Sequence, residues 1–365
     1  MDNRTRILTI LQGDKPDRVP WFGDLSYWGL SLDNHLVNRD YSLEDEFYKF
    51  HEDLNVGFYL QGYEPYHPVY DDNISVEIIE NDNIRERKIS TPVGEIKEEW
   101  IWLGDSWCEA PREYFIKTIK DIRVFKYWLE HTKYKPDYKE AEKRYQLVGN
   151  NGVVLCYLPK SPFMQLVTLL AGIENIVDLW IDYKEEFEEF LQVFRMKTDE
   201  AAEIALHSPA ESLMIPENLS SEVVGKRFFN LYMKDYQEYW TRKIRELDKY
   251  SFIHMDGTLN GLISEVGQVG FSVMEALTPH PVGDLTLETI GKKIPDTTIF
   301  WGGIPGIYFT PLVDEKEFID LTIKTIKFMR RKPCYVLGVA DQVPPNGIRA
   351  RVEKVSELVE EYGYY

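Results

Sequence analysis

The sequence predicts an α/β fold of the (β/α)₈ TIM-barrel type with an inserted antiparallel hairpin or cap region. Three observations lead there. Short apolar runs rich in Val, Ile and Phe recur along the chain and read as strands buried on both faces, the mark of a parallel sheet. Most are followed by a helical stretch long enough to serve as a crossover. Eight such runs can be counted, and eight strand-crossover units close most economically as a barrel.

The first run is "RVPWFGDL" (18–25) and the second "NVGFYLQ" (55–61). The rhythm then changes. In "ISVEIIENDNIRERKISTPVGEIKEEWIWL" (74–103) apolar and polar residues alternate around the turn-prone "ENDN" and "TPVGE", which reads as antiparallel hairpins. These belong to a cap over about 62–115, inserted into a single domain that spans 1–365. The regular alternation resumes with "GVVLCYLP" (152–159), followed by helices across 163–207. "SLMIPE" (212–217) precedes an amphipathic helix from about Ser221 to Leu247, and "SFIHMD" (251–256) precedes a helix near 259–268. "FSVMEAL" (271–277), "TTIFWGGI" (297–304) and "PCYVLGV" (333–339) complete the set, and a last helix covers about 348–362.

Composition bounds the function. With 44% apolar and 28% charged residues the chain is an ordinary globular protein. A formal charge of −19 argues against a nucleic-acid surface, which needs clustered Lys and Arg. Cys108, Cys156 and Cys334 lie far apart with no C-x-x-C pair, which fits a reducing cytoplasm and excludes a cysteine zinc knuckle. The opening lacks a long apolar segment and no later run reaches membrane-spanning length, so the expectation is a cytoplasmic protein that engages no membrane.

Barrel chemistry sits where strands end. The first strand ends with Asp24, and "IPEN" brings Glu217 to the end of a later one. "IHMDG" contributes His254 and Asp256, "VMEALTPHP" carries Glu275, and "LGVADQVPP" leaves Asp341 at the mouth of the last strand. Residues two apart on a strand share a face, so His254 and Asp256 can both point inward. Taken singly, each reads as a core histidine, a helix cap or a loop salt-bridge partner. Taken together they form a carboxylate cluster with no Lys or Arg in the same segments, and a cation would relieve its self-repulsion. Imidazole plus carboxylates suits a hard-to-borderline metal, most simply Zn²⁺ with an open position.

Other signals are weaker. "GGIPG" (302–306) resembles a phosphate-cradling turn but lacks the following Lys-Ser, so a glycine-rich connection is the plainer reading. Trp21, Phe22, Tyr27, Trp28, Trp100, Trp102 and Trp107 are concentrated near the first strand and in the cap, where some would suit a flat, apolar substrate. The acidic "DYKEEFEEF" (182–190) reads as a solvated helix face.

The segments "RILTILQGDKPDRVPWFGD", "PENLSSEVVGKRFF", "IHMDGTLNGLISEVGQVGFSVMEALTP" and "YVLGVADQVPPNGIRARVEKVSELVEEYG" together resemble the uroporphyrinogen decarboxylase superfamily, over nearly the whole chain. The resemblance implies a (β/α)₈ barrel. The decarboxylase's arginine-rich first-strand signature is replaced here by "WFGDLSYWG", which would repel a polycarboxylate. The better match is the branch of zinc-dependent methyltransferases that serve corrinoid proteins. In that branch the thiol methylases carry H-x-C on one strand, a later acid and a cysteine near the last strand. Here His254 falls on the histidine, Asp256 on the first cysteine and Glu275 on the acid, while the second cysteine's place falls near Ala340 and Asp341.

Without thiolates, the resemblance implies a harder Lewis acid, suited to the oxygen of a methyl ether. The expected activity is transfer of a methyl group from a small O-methyl donor, for instance an aromatic methyl ether, to the Co(I) corrinoid of a partner protein. No D-x-H-x-x-G corrinoid signature occurs, so the corrinoid (cobalamin) would arrive on a separate corrinoid protein. The expected zinc ligands are Glu217, His254 and Glu275, with Asp256 as a fourth ligand or as the group that orients His254. Asp24 and Asp341 are candidates for handling substrate or a proton. Two competing expectations are a metal-free decarboxylase of a small acid and a non-catalytic barrel that binds a corrinoid or porphyrin.

Overall fold

The structure is a computed structural model and describes residues 1–31, 42–59, 62–106 and 108–365. Trp107 and the end of the second expected strand, residues 60–61, lie outside the described residues. The antiparallel part comes first in the chain. Its strands are β1 (Tyr66–Tyr70), β2 (Ser75–Asn81), β3 (Ile84–Thr91), β4 (Gly94–Leu103), β5 (Cys108–Glu113) and β6 (Thr132–Pro136). β2 to β5 form one antiparallel sheet in chain order, turning at Asp82 and Gly94, both at positive φ. β1 pairs antiparallel with β6, which follows the helix Ile119–Glu130 and so lies beyond the 62–115 segment read from the sequence.

The second part is a parallel sheet of β7 (Leu155–Tyr157), β8 (Ser212–Ile215), β9 (Tyr250–His254), β10 (Val273–Leu277), β11 (Ile299–Pro305) and β12 (Tyr335–Ala340), adjacent in chain order. Of the eight expected parallel strands, six are regular among the described residues. The two earlier segments make isolated parallel bridges instead: Trp21 to Leu337 of β12, and Phe58 to Gly152 just before β7. The Gly57 N–H also donates to the Trp21 carbonyl at 2.9 Å. Pro20 has no N–H to give a ladder, and Asn55 at φ 53 stands at the start of the second run, which shortens the extended backbone each segment can offer. The amphipathic helix expected from Ser221 begins instead at Lys226 and passes through a π-turn at Phe229–Met233, because Ser221 is held by the Thr258 carbonyl.

Alternation along the strands sorts the core into two clusters. Leu213, Ile215, Ile253, Met274 and Leu337 face the helices. Met214, Phe252, Val273, Ile299, Trp301 and Val336 face the other way, joined by Phe22, Tyr59 and Leu155 and closed from below by Ile7, Ile10 and Leu11 of the helix Asn3–Leu11. Period-two alternation therefore fixes in advance which residues at the strand ends continue the inner face. Among the aromatics expected near a substrate, Trp21, Phe22 and Trp28 are core residues. The 182–190 stretch is exposed apart from Phe187 and Phe190, which pack inward, and half-buried Glu188.

"GGIPG" is not a phosphate turn. Its first residues lie within β11, with Gly302 at φ +145 and Gly303 at φ +111. Gly302 faces Leu277 across a register shift in β10, and a Cβ there would lie 2.7 Å from the Leu277 carbonyl oxygen. Gly302→Ala is therefore expected to destabilise the protein by about 2 kcal/mol or more, through wrong φ and forced displacement of β10. Denaturant unfolding of the purified variant checks this.

Candidate metal centre

Above the inner apolar cluster the same parity continues. Phe252 is inner, so His254 is too; Val273 is inner, so is Glu275; Phe22 and Leu155 carry Asp24 and Tyr157 to the same level. His254 and Glu275 are direct register partners on neighbouring strands, and the His254 Nδ1 to Glu275 Oε2 distance is 2.6 Å. After Glu275 the chain bulges: Ala276 sits at φ 63 and the pairing to β11 shifts register. Bulges at strand ends re-aim side chains, and the positive φ at a non-glycine residue marks local strain at this point of the fold.

With Nδ1 committed to Glu275, the other ring nitrogen of His254 faces Asp341, whose Oδ1 lies 3.6 Å away. Asp256 completes the group, and one donor atom from each of His254, Asp256 and Asp341 falls within 4.8 Å of the others. Zinc bonds of about 2.0–2.2 Å place the donors of one tetrahedral ion roughly 3.4 Å apart, so small side-chain rotations would gather this set around an ion. The residues present therefore fit a cation of the hard-to-borderline kind.

Electrostatics point the same way. Burial disfavours a charged His254, yet Glu275, Asp341 and Asp256 overcome it and raise its pKa to about 10. Burial also raises the Asp341 carboxyl, with Glu275 and Asp256 pushing in the same direction against His254. One positive charge, on a proton or a metal, is what the cluster lacks.

Glu217 has a different position. It is fully buried, but Ile215 and Leu213, two and four residues earlier, belong to the helix-facing cluster, and Glu217 follows them outward. Its carboxylate accepts from Ser161 N and Oγ, both at 3.2 Å, and from Gln237 Nε2 at 3.1 Å. The structure thus places Glu217 in a buried network with the helix Lys234–Glu246, apart from the group around His254. Glu275, expected as a ligand, bonds His254 Nδ1, the contact considered for Asp256. Asp341 joins the cluster. Asp24 accepts from Ser26 N at 2.8 Å and Ser26 Oγ at 2.6 Å. It remains near the centre, since Asp24, Asp341 and Glu275 all act on the buried Tyr59 phenol, whose pKa burial already raises.

The acid-bearing segments hold no Lys or Arg, but another segment brings a base close to Glu217. Lys160, three residues past β7, donates to the Pro216 carbonyl and to Asn218 Oδ1, tying the turn that carries Glu217. Burial lowers its pKa to about 8, although Glu217 and Asp256 favour the charged form. Burial likewise raises Glu217 above the usual carboxylate range against the pull of Lys160. Tyr157 beside Asp24 and Tyr27 beside Gln342 are further members of this mouth, both with phenols pushed up by burial. The signal for Lys160 was present in "CYLPKSP": reading the polar residues after every strand, this one included, finds it.

A family model described as "Uroporphyrinogen decarboxylase (URO-D)" matches residues 139–362, more than half of the chain. The chain belongs to the uroporphyrinogen decarboxylase family. Among solved structures, a methyltransferase from Methanosarcina mazei superposes with a TM-score of 0.60 at 12% sequence identity, covering 99% of this chain and 99% of that one. At that identity the likeness is one of fold. The GH18 chitinase ChiB from the chitin utilization locus of Flavobacterium johnsoniae matches at a TM-score of 0.35 and 12% identity over 62% of this chain and 81% of that one, and carries no argument. No curated protein matches the sequence. All of the strands and loops that carry Lys160, Glu217, His254, Asp256, Glu275 and Asp341 fall within the part matched to the uroporphyrinogen decarboxylase family.

Proposed function

We propose that this protein is a methyltransferase that moves a methyl group from a small O-methyl donor, such as an aromatic methyl ether, to the Co(I) corrinoid of a partner protein, with zinc held by His254, Asp256 and Asp341. The observation that carries the reading is the clamp on His254: Glu275 fixes Nδ1 at 2.6 Å and leaves Nε2 to join two carboxylates. A metal-ligating imidazole is commonly held this way by a carboxylate on its far nitrogen. The family membership and the methyltransferase neighbour support it. The sheet is read as six staves of a (β/α)₈ barrel, with residues near Trp21 and Phe58 as the other two; the bridges to Leu337 and Gly152 support closure.

Bound there, zinc would supply Lewis acidity toward the ether oxygen. The chain's own residues do the rest. Glu275 keeps the imidazole in one tautomer and orientation. The apolar floor of Phe252 and Trp301 keeps water from below. Lys160, with its pKa near 8 and its charge favoured by Asp256, would give a proton to the departing oxygen and recover it from solvent. Asp24 and Tyr157 border the donor, with Asp24 anchored by Ser26. No helix among the described residues is long and apolar enough to cross a membrane, and a cytoplasmic setting suits three free cysteines.

Incubation of the zinc-loaded protein with 2-methoxyphenol and free cob(I)alamin tests the reading. Catechol release matched by loss of the Co(I) absorbance is expected; a full panel of methyl ethers giving neither would end it. Glu275→Gln, which keeps the shape but weakens the clamp, is expected to lower zinc affinity about 10- to 100-fold, measured by competition with a chromophoric chelator. A metal-free decarboxylase is the second reading, favoured by the readiness of His254 to hold a proton among three acids. It requires carbon dioxide release that chelators leave untouched.

A further inference from the structure

A second cavity lies away from the His254 cluster, between the antiparallel strands and the helices Ile119–Glu130 and Lys184–Leu206. Its volume is about 520 Å³, within the usual range of small-molecule sites. Seven aromatic residues contribute to its lining: Tyr66, Tyr70, Trp100, Phe125, Trp128, Tyr134 and Phe194. Several are locked against one another, with Phe125 and Trp128 edge to face at 4.9 Å and Tyr66 and Tyr134 at 5.6 Å. Walls held this way are preorganised, so a ligand would not have to order them.

The polar groups narrow the ligand. Arg87 is spent on Glu98, a buried carboxylate 2.8 Å away, and Arg85 on Glu109. Both guanidinium groups also lie over rings, Arg85 on Trp100 and Arg87 on Phe115. An anion would meet arginines already paired and the Glu64 carboxyl on the lining; a cation would meet those same arginines. One buried donor is left over. The indole N–H of Trp128 has no acceptor among the described residues, a deficit worth about 1–3 kcal/mol in general.

The geometry points to a second binding site here, for an uncharged planar aromatic molecule bearing one oxygen acceptor, which stacks among the rings and accepts from Trp128 Nε1. The inference does not depend on the proposed chemistry at His254.

Titration of the full chain with 2-methoxynaphthalene, followed by the probe's fluorescence, tests it. One saturable site is expected, retained in His254→Ala. It should be lost in Ala201→Phe, which fills the cavity from the buried floor of the long helix. Trp128→Phe keeps the ring and removes the N–H, so it should weaken 2-methoxynaphthalene about five- to tenfold while leaving naphthalene unchanged. This second variant decides the matter should Ala201→Phe fail to fold. Binding that disappears with His254→Ala and survives Ala201→Phe, equal loss of both probes in Trp128→Phe, or no saturable binding would each overturn the assignment.

Discussion

His254→Ala is expected to lose both stoichiometric zinc and methyl transfer, with kcat falling about a thousandfold. The magnitude follows from removing a Lewis acid worth several kcal/mol to the transition state. The variant should still fold. His254 sits at the end of β9 above the apolar cluster, with its side chain 14% exposed, so its removal opens the mouth rather than that cluster. Its loss leaves Glu275, Asp256 and Asp341 facing one another with no imidazole, a set expected to bind a cation only weakly. Metal analysis after gel filtration, beside the circular dichroism melt, separates the loss of metal from loss of structure. Full zinc retention by a folded His254→Ala protein would remove this residue from the centre.

Lys160→Met is expected to lower kcat about 10²- to 10⁴-fold while leaving the zinc content unchanged, because in the proposed reaction the residue serves the leaving oxygen and is no ligand. The pH dependence gives the sharper reading. In the folded protein the Lys160 pKa is lowered to about 8, so the ammonium is intact below that pH and is lost as pH rises through it. kcat should therefore fall on an alkaline limb near pH 8. In Lys160→Arg the charge persists across the whole range and the limb should vanish, even where the maximum rate drops. An alkaline limb unchanged in Lys160→Arg would assign it to another group.

Much of the fold was legible because burial on both faces leaves an unambiguous trace: the six regular strands all fall on apolar runs picked out in the sequence. The irregular segments near Trp21 and Phe58 carried similar runs, but Pro20 lacks an N–H and Asn55 opens the second run at positive φ, so both form isolated bridges rather than long ladders. The candidate site was partly legible. His254, Asp256 and Asp341 converge as strand-end residues should. Glu217 shows where strand-end reading alone falls short, since it ignores parity. Met214 faces inward, so Glu217, an odd number of residues later, turns toward Gln237. Lys160 lies past a strand whose end carries no acid, so the pattern of acids does not point to it. The division of labour between Glu275 and Asp256 depends on a register pairing across two strands, which a sequence does not display.

The central claim concerns what surrounds the zinc, and X-ray absorption at the zinc edge of protein loaded with one equivalent measures it directly. One imidazole nitrogen and two carboxylate oxygens at about 2.0–2.2 Å, with no sulfur, is the expected shell. A sulfur scatterer at about 2.3 Å, a shell of water alone, or a protein that cannot hold one equivalent would contradict the account.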